Sequence, residues 1–152
     1  MKQDYISLVL LIERLHRRFL DVVKAELDQL GIEDVNNVQT LILYNIGDSS
    51  MTVGELTNRG YYLGSNVSYN IKKLVENEFL IQERSLHDKR SVKVKLSEKG
   101  LSLCGKIDIL FQENITSLEE KGFNKEEINI LINRLRGLEE FWSGCIGKKH
   151  KL

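Results

Sequence analysis

The chain of 152 residues contains no proline, only two cysteines and no long run of apolar residues. The absence of proline favours long uninterrupted helices, because proline removes a backbone donor and breaks a helix. Cys104 and Cys145 lie far apart and form no C-x-x-C pair, which argues against a secreted disulfide framework. The apolar run 6–12 is interrupted by Ser7 and closed by Glu13, so it predicts neither a signal peptide nor a membrane span. We therefore expect a single domain in a reducing cytoplasm, without membrane contact.

Motifs of catalytic and metal sites are also missing. There is no nucleophile elbow, phosphate-binding loop or paired-carboxylate motif, so we predict that the chain is not an enzyme. His16, His87 and His150 lie in three different predicted elements without a second ligand at a usual spacing, and we predict neither a metal site nor a cofactor. Cys104 lies in an apolar stretch and is expected to be a buried structural thiol, whereas Cys145 is expected to be more exposed.

The formal net charge is zero, but the charges are unevenly distributed. Residues 65–95 contain seven lysines and arginines against four acids, whereas residues 113–140 contain four against seven. A basic middle and an acidic flank would orient the protein on a polyanion such as DNA.

The segment 52–96 has the pattern of helix, turn, helix and β-hairpin. Thr52 and Glu55 form a capping-box pattern that starts a short helix, which is expected to end near Gly60. A second helix is predicted from about residue 64, and its apolar positions form one stripe: Val67, Ile71, Leu74 and Val75. Alternation of apolar and basic residues over 92–96 predicts a strand that pairs with 79–84.

The polar face of this second helix suits DNA. Short hydroxyl and amide groups can contact base edges, and lysines can contact phosphates. The candidates for groove and phosphate contacts are Ser65, Asn66, Ser68, Tyr69, Asn70, Lys72 and Lys73. The basic hairpin tip, with His87 and Lys89 near phosphates, completes the pattern of a winged helix. The alternative is a winged-helix module that binds another protein and does not bind DNA.

Helices are predicted on both sides of this centre. One spans about 4–30, another begins at Asn36 or Asn37 and is closed by Gly47, and two more follow Ser97. We predict a mainly α fold: a winged helix-turn-helix lobe at about 36–97, flanked by dimerisation helices at about 4–30 and 98–147. The end helices carry more apolar surface than one lobe can cover, which predicts a homodimer.

The chain resembles the MarR family of bacterial winged-helix regulators. The resemblance lies in Leu56-Thr57, in Asn66-Val67-Ser68 through Lys73-Leu74-Val75, and in Asp88-Lys89-Arg90-Ser91-Val92 running to Leu96-Ser97-Glu98-Lys99-Gly100. The family's wing carries an Asp-x-Arg pattern and a Leu-Thr-x-x-Gly helix start, in which Ser97 here replaces the threonine and keeps the capping chemistry. Where the family more often has glycine this chain has Glu78, and Asn77 could serve as the turn residue instead.

The resemblance implies a function and further site residues. It implies a transcription regulator, expected to be a repressor, that binds double-stranded DNA as a homodimer on a pseudo-palindromic operator. Arg90 would enter the minor groove, held by an ion pair with Asp88. A small aromatic or phenolic effector would bind between the dimer helices and the winged lobe, where the candidate lining residues are His16, Arg17, Phe19 and Tyr44. These four could equally be ordinary core or surface residues.

Overall fold

The computed structural model describes residues 1–60, 64–84 and 91–149. The helices in these ranges are α1 (Lys2–Gln29), α2 (Asn37–Ile46), α3 (Val53–Gly60), α4 (Gly64–Glu76), α5 (Glu98–Glu120) and α6 (Lys125–Lys149). The strands are β1 (Met51–Thr52), β2 (Leu80–Arg84) and β3 (Val92–Leu96). The predicted fold class is confirmed: the protein is mainly helical with a small antiparallel wing. None of the described helices is long and apolar enough to cross a membrane.

The chain divides into two compact units, 1–110 and 111–152. The first unit contains the three-stranded antiparallel sheet, in the order β1-β3-β2. Met51 pairs with Val94 and Leu80 pairs with Leu96, so the two-residue strand β1 and the strand β2 flank β3. This register turns Val94 and Leu96 into the core and leaves Lys93 and Lys95 exposed.

The core of the first unit lies under α4. Val67, Ile71 and Leu74 of α4 are at most 4% exposed, as the apolar stripe predicts, whereas Val75, the fourth predicted member, is half-buried. The α4 helix packs against α3, α2 and β2, where Leu56, Ile42 and Leu80 are buried. Burial of this stripe fixes which face of α4 is turned outward.

Helix ends follow the predicted capping residues. Thr52 and Glu55 exchange both hydrogen bonds of a capping box, at 2.9 and 3.1 Å. Asn36, rather than Asn37, caps α2, and Asn124 and Glu127 form a second capping box before α6. The hydroxyl of Ser97 accepts a hydrogen bond from the Gly100 amide at the start of α5.

The turn after α4 corrects one interpretation of the sequence. Glu78, not Asn77, adopts the left-handed conformation, with φ of 64°. The side chain of Asn77 instead donates to the backbone carbonyl of Asp34 at 2.9 Å. A polar side chain at 77 is therefore used to tie the turn to the segment before α2, and the strained backbone falls one residue later.

Both units leave apolar side chains exposed in the single chain. In α1, only Val23 and Leu27 are buried. Its exposed large apolar residues are Tyr5, Ile6, Leu8, Leu10, Leu11, Leu15, Phe19 and Val22. The second unit exposes Ile115, Leu118, Phe123, Ile130, Leu131, Ile132, Leu135, Phe141 and Ile146. So many exposed apolar side chains are more than an isolated chain usually leaves in water.

Candidate DNA-binding surface

The outward face of α4 is polar. Asn66, Ser68, Tyr69 and Lys72 are exposed there, and Tyr69 retains 60% of its accessible surface. Tyr69 and Lys72 lie opposite the buried stripe, and Asn66 and Ser68 lie at its two sides. The helix can therefore present this surface to a groove without moving its core. Ser65 is part of α4, but its side chain lies outside the described residues.

Lys73 has partners along its own helix. Its ammonium group lies 5.9 Å from the centre of the Tyr69 ring and 3.4 Å from a carboxylate oxygen of Glu76. These exposed contacts contribute little to stability and are easily exchanged for a phosphate contact. The contact of Lys73 with DNA stays a prediction, and a phosphate would have to replace Glu76 as the partner of its ammonium group.

Asn70 is positioned differently from its neighbours. It is half-buried, and its Oδ1 accepts a hydrogen bond of 3.2 Å from Nε2 of Gln39. Gln39 is a buried residue of α2, only 7% exposed. Its other amide atom, Oε1, accepts from the backbone N–H of Asn36 at 3.1 Å, as part of the capping box of α2. A chain of hydrogen bonds thus joins the start of α2 to the middle of α4.

Gln39 is a residue that the sequence interpretation missed. The spacing Asn36-x-x-Gln39 is that of a capping box and was visible in the sequence. The second bond, to Asn70, joins residues 31 positions apart, and no local pattern indicates it.

The strands of the wing carry exposed charges. Lys95 forms an ion pair of 2.6 Å with Glu83, and this hydrogen bond is the main reason why the pKa of Glu83 is lowered. Lys93 and Arg84 are exposed on the same hairpin. The predicted contacts at the tip, His87, Asp88, Lys89 and Arg90, lie outside the described residues and stay predictions.

The candidate effector residues lie on the first two helices. Arg17 is paired with Glu13 at 2.5 Å, and His16 is exposed. The hydroxyl of Tyr44 donates to Asp108 at 2.7 Å, which raises the pKa of Tyr44. Phe19 is 38% exposed.

Among the described residues, two surface cavities lie in other places. One, of about 330 Å³, is lined by residues at the end of α1 and the start of α2, among them Lys24, Leu27 and Asn36. The other, of about 260 Å³, lies beside Ser50, Glu55 and Arg59. Neither is lined by the four effector candidates, whose role stays a prediction.

The described residues hold no cluster of three or more metal-binding side chains. Cys104 is half-buried, and burial followed by the charges of Asp108 and Asp48 raises its pKa to about 11. Such a thiol is a poor nucleophile at neutral pH, which agrees with a structural role. Cys145 is exposed, as expected.

Comparison with known proteins identifies the same architecture. Residues 35–100 match the family model described as a winged helix DNA-binding domain. The chain is 36% identical, over 93% of its length and 73% of the relative's, to the exopolysaccharide II synthesis transcriptional activator ExpG of Rhizobium meliloti. A mutant MarR from E. coli, complexed with operator DNA, superposes with a TM-score of 0.72 at 20% identity, covering 89% of this chain and 95% of that one. MarR from Staphylococcus aureus, in complex with salicylate and kanamycin, superposes with a TM-score of 0.73 at 22% identity, covering 94% and 93%.

Proposed function

Because the chain belongs to the MarR family of winged-helix transcription regulators, we propose that it binds a pseudo-palindromic operator as a homodimer, with α4 in the major groove. As a member of that family it is a transcription regulator and not an enzyme. In this proposal the winged-helix lobe at about 36–97 binds DNA, and the helices at about 4–30 and 98–147 form the dimer interface. The observation that carries the proposal is the polar outward surface of α4, because Val67, Ile71 and Leu74 are buried on the other side of the helix.

The chemistry of this face supports base recognition. Asn66 is exposed near the start of α4, and the N-terminal residues of a recognition helix contact base edges in helix-turn-helix proteins. Its amide can both donate and accept, which matches the N7 and N6 edge of adenine. Ser68 and Tyr69 add further polar contacts, and Lys72 supplies a charge for a phosphate. The operator complex of E. coli MarR has the same fold as this chain, which further supports the proposal.

The wing supplies charge in this proposal. By resemblance to the family, Arg90 enters the minor groove and Asp88 holds it by an ion pair, with His87 and Lys89 near phosphates. Removal of Arg90 should weaken binding to all sequences, because a backbone or groove-width contact carries little base information.

Dimer formation is supported by the apolar surface of the two end regions. A helix with a wide exposed apolar band, such as α1, needs a neighbour to bury it. A second copy of the chain would supply an identical surface about a twofold axis. Two copies of α4 would then contact two half-sites one helical turn apart. Light scattering at micromolar concentration should give twice the chain mass, and a well-folded monomer would contradict the dimer.

The direction of regulation has two candidates. Repression follows if the operator overlaps the promoter, since the bound dimer then excludes polymerase. Activation is the second candidate, because the relative that shares 36% identity is named as a transcriptional activator. Transcription in vitro from a promoter with its native operator, with and without the protein, separates the two: a fall in transcript supports repression, and a rise supports activation.

We further propose that a small aromatic acid modulates DNA binding. The support is the family resemblance together with the salicylate complex of S. aureus MarR. The candidate residues are His16, Arg17, Phe19 and Tyr44. A ligand that binds the DNA-free form more tightly must weaken DNA affinity by the same factor. Titration of salicylate against the operator complex tests this, and an unchanged affinity together with an unchanged melting temperature would contradict it.

The main experiment measures affinity for DNA as a function of salt. An operator selected from a random library and a scrambled duplex are titrated with the full chain at several salt concentrations. Binding through phosphates should give a steep negative slope, with a magnitude of about 0.9 for each neutralised phosphate. Arg90→Ala should reduce that slope by about one for each wing in contact.

The rival is a winged-helix module that binds another protein. It predicts no selectable operator, and an apolar interface would respond little to salt. Failure to enrich any sequence would therefore contradict the proposed function, whatever the oligomeric state.

A further inference from the structure

We propose that buried Gln39 is a positioning residue that sets the polarity with which Asn70 meets DNA: Asn70 presents an N–H donor and recognises a hydrogen-bond acceptor on a base. This inference rests on the proposed DNA-binding function and names a specificity determinant within it. It also departs from the simple expectation that every asparagine of α4 contacts adenine through both amide atoms.

The polarity is fixed by a backbone group. The N–H of Asn36 can only donate, so the Gln39 atom that lies 3.1 Å from it must be the acceptor Oε1. The other atom of that amide, Nε2, can only donate, so the Asn70 atom at 3.2 Å must be the acceptor Oδ1. The orientations of both amides therefore follow from the hydrogen-bond chain itself, which removes the usual ambiguity between amide oxygen and nitrogen.

Burial keeps this chain in place. Gln39 is 7% exposed, so water cannot readily replace its partners, and an unpaired amide there would carry a desolvation penalty. Oδ1 of Asn36 also accepts a hydrogen bond of 2.8 Å from the backbone N–H of Gln39, which fixes the first turn of α2. The orientation of Asn70 is thus determined by α2 rather than by α4.

The other edge of the Asn70 amide is the one available to a ligand. In a planar amide Nδ2 lies on the edge away from the hydrogen bond that Oδ1 makes with Gln39. Asn70 is half-buried and lies one helical turn from both Asn66 and Lys73, on the face proposed to enter the groove. An N–H donor at this place can pair with the acceptors of the major groove: purine N7, guanine O6 or thymine O4.

Gln39→Glu is the sharpest test because it keeps the cap and reverses the contact. A carboxylate at 39 still accepts the Asn36 N–H, and the start of α2 favours negative charge. Its second oxygen can no longer donate to Oδ1 of Asn70. The Asn70 amide should then rotate by half a turn, donate Nδ2–H to the carboxylate and present Oδ1 to DNA.

The expected result is a change of base preference at one position of each half-site. Every base at each operator position is compared for wild type and Gln39→Glu. The variant should lose about tenfold in affinity where an acceptor was preferred, and should gain relative preference for a base with a donor, cytosine or adenine. The same substitution in an Asn70→Ala background should leave the base preferences of Asn70→Ala unchanged.

Asn70→Asp provides a second test that does not alter α2. The aspartate keeps an acceptor for Gln39 but has no N–H to present, so operator affinity should fall by about tenfold or more. Three results would each overturn the inference. Gln39→Glu could shift the base preferences equally with and without the Asn70 side chain, or Asn70→Asp could bind the operator like wild type. The variants could also lose affinity equally for operator and random DNA. If wild type itself does not discriminate among sequences, the proposed function fails as well. If wild type discriminates among sequences and Gln39→Glu and Asn70→Asp keep the same base preferences, only the inference about Gln39 and Asn70 is refuted.

Discussion

Glu78→Gly should stabilise the protein. The C-terminus of α4 is a Schellman motif: the Phe79 N–H donates to the Leu74 carbonyl at 2.9 Å, and the Glu78 N–H donates to the Val75 carbonyl at 3.0 Å. Phe79 and Leu74, whose contact usually accompanies this motif, are both buried. The residue after the cap must be left-handed, and glycine is favoured there because it has no Cβ. Here Glu78 occupies that position with φ of 64°.

The same chain provides two reference motifs. The α1 and α5 helices end with equivalent pairs of bonds, in which Gly31 and Gly122 have φ of 68° and 91°. A non-glycine residue in this region costs about 1–2 kcal/mol, and the greater freedom of glycine in the unfolded chain offsets about 0.5–1 kcal/mol. With the middle of each range, the net gain from Glu78→Gly is about 0.7 kcal/mol. For a domain of this size, that raises Tm by about 1–4 °C.

Urea unfolding followed by circular dichroism, at one fixed chain concentration, measures the effect. Glu78→Gln is the control for charge, because a carboxylate at a helix C-terminus is itself slightly unfavourable. Gly31→Ala is the control for strain, since a Cβ at 31 would meet no atom within 4 Å and only the backbone conformation opposes it. It should destabilise by about 1 kcal/mol. A Glu78→Gly protein no more stable than Glu78→Gln would refute the assignment of strain to this residue.

Two further predictions concern Gly100 and Cys104. Gly100→Ala should destabilise the protein by about 3 kcal/mol, because a Cβ there would lie 2.4 Å from the Phe79 carbonyl oxygen; an unchanged urea midpoint would contradict this packing. Iodoacetamide at pH 7 should label Cys145 long before Cys104. The Cys104 thiol is half-buried, and its pKa of about 11 keeps it almost wholly protonated at this pH. Raising the pH toward 11 should speed the labelling of Cys104. Mass spectrometry of tryptic peptides measures the labelling of each cysteine, and labelling of Cys104 before Cys145 at pH 7 would contradict this prediction.

Local patterns predicted the elements because each element carries its own signal. The stripe Val67, Ile71 and Leu74 determines which face of α4 is buried, and the alternation at 92–96 determines which face of β3 is buried. The capping pairs at 52/55 and 124/127 mark helix starts through bonds between residues three apart. Such signals need no knowledge of the tertiary structure.

Features that depend on distant residues were not predictable in the same way. The Asn70 amide is oriented by Gln39 on another helix, and Asn77 is occupied by the carbonyl of Asp34. The sequence therefore placed Asn70 correctly on α4 but indicated neither its burial nor its polarity. Likewise, the sequence offered Asn77 as a turn residue in place of Glu78, whereas the bonds at the end of α4 place the left-handed residue at Glu78.

The most direct test of sequence recognition by α4 is the ratio of operator affinity to random-sequence affinity for wild type and Asn66→Ala. Asn66 is exposed on the outward face, so its removal should leave the fold intact. The substitution should cost about 1–3 kcal/mol on the operator and little on random DNA, lowering the ratio by about fivefold to 150-fold. If Asn66→Ala weakens binding to both duplexes equally, or to neither, base recognition by this helix is contradicted.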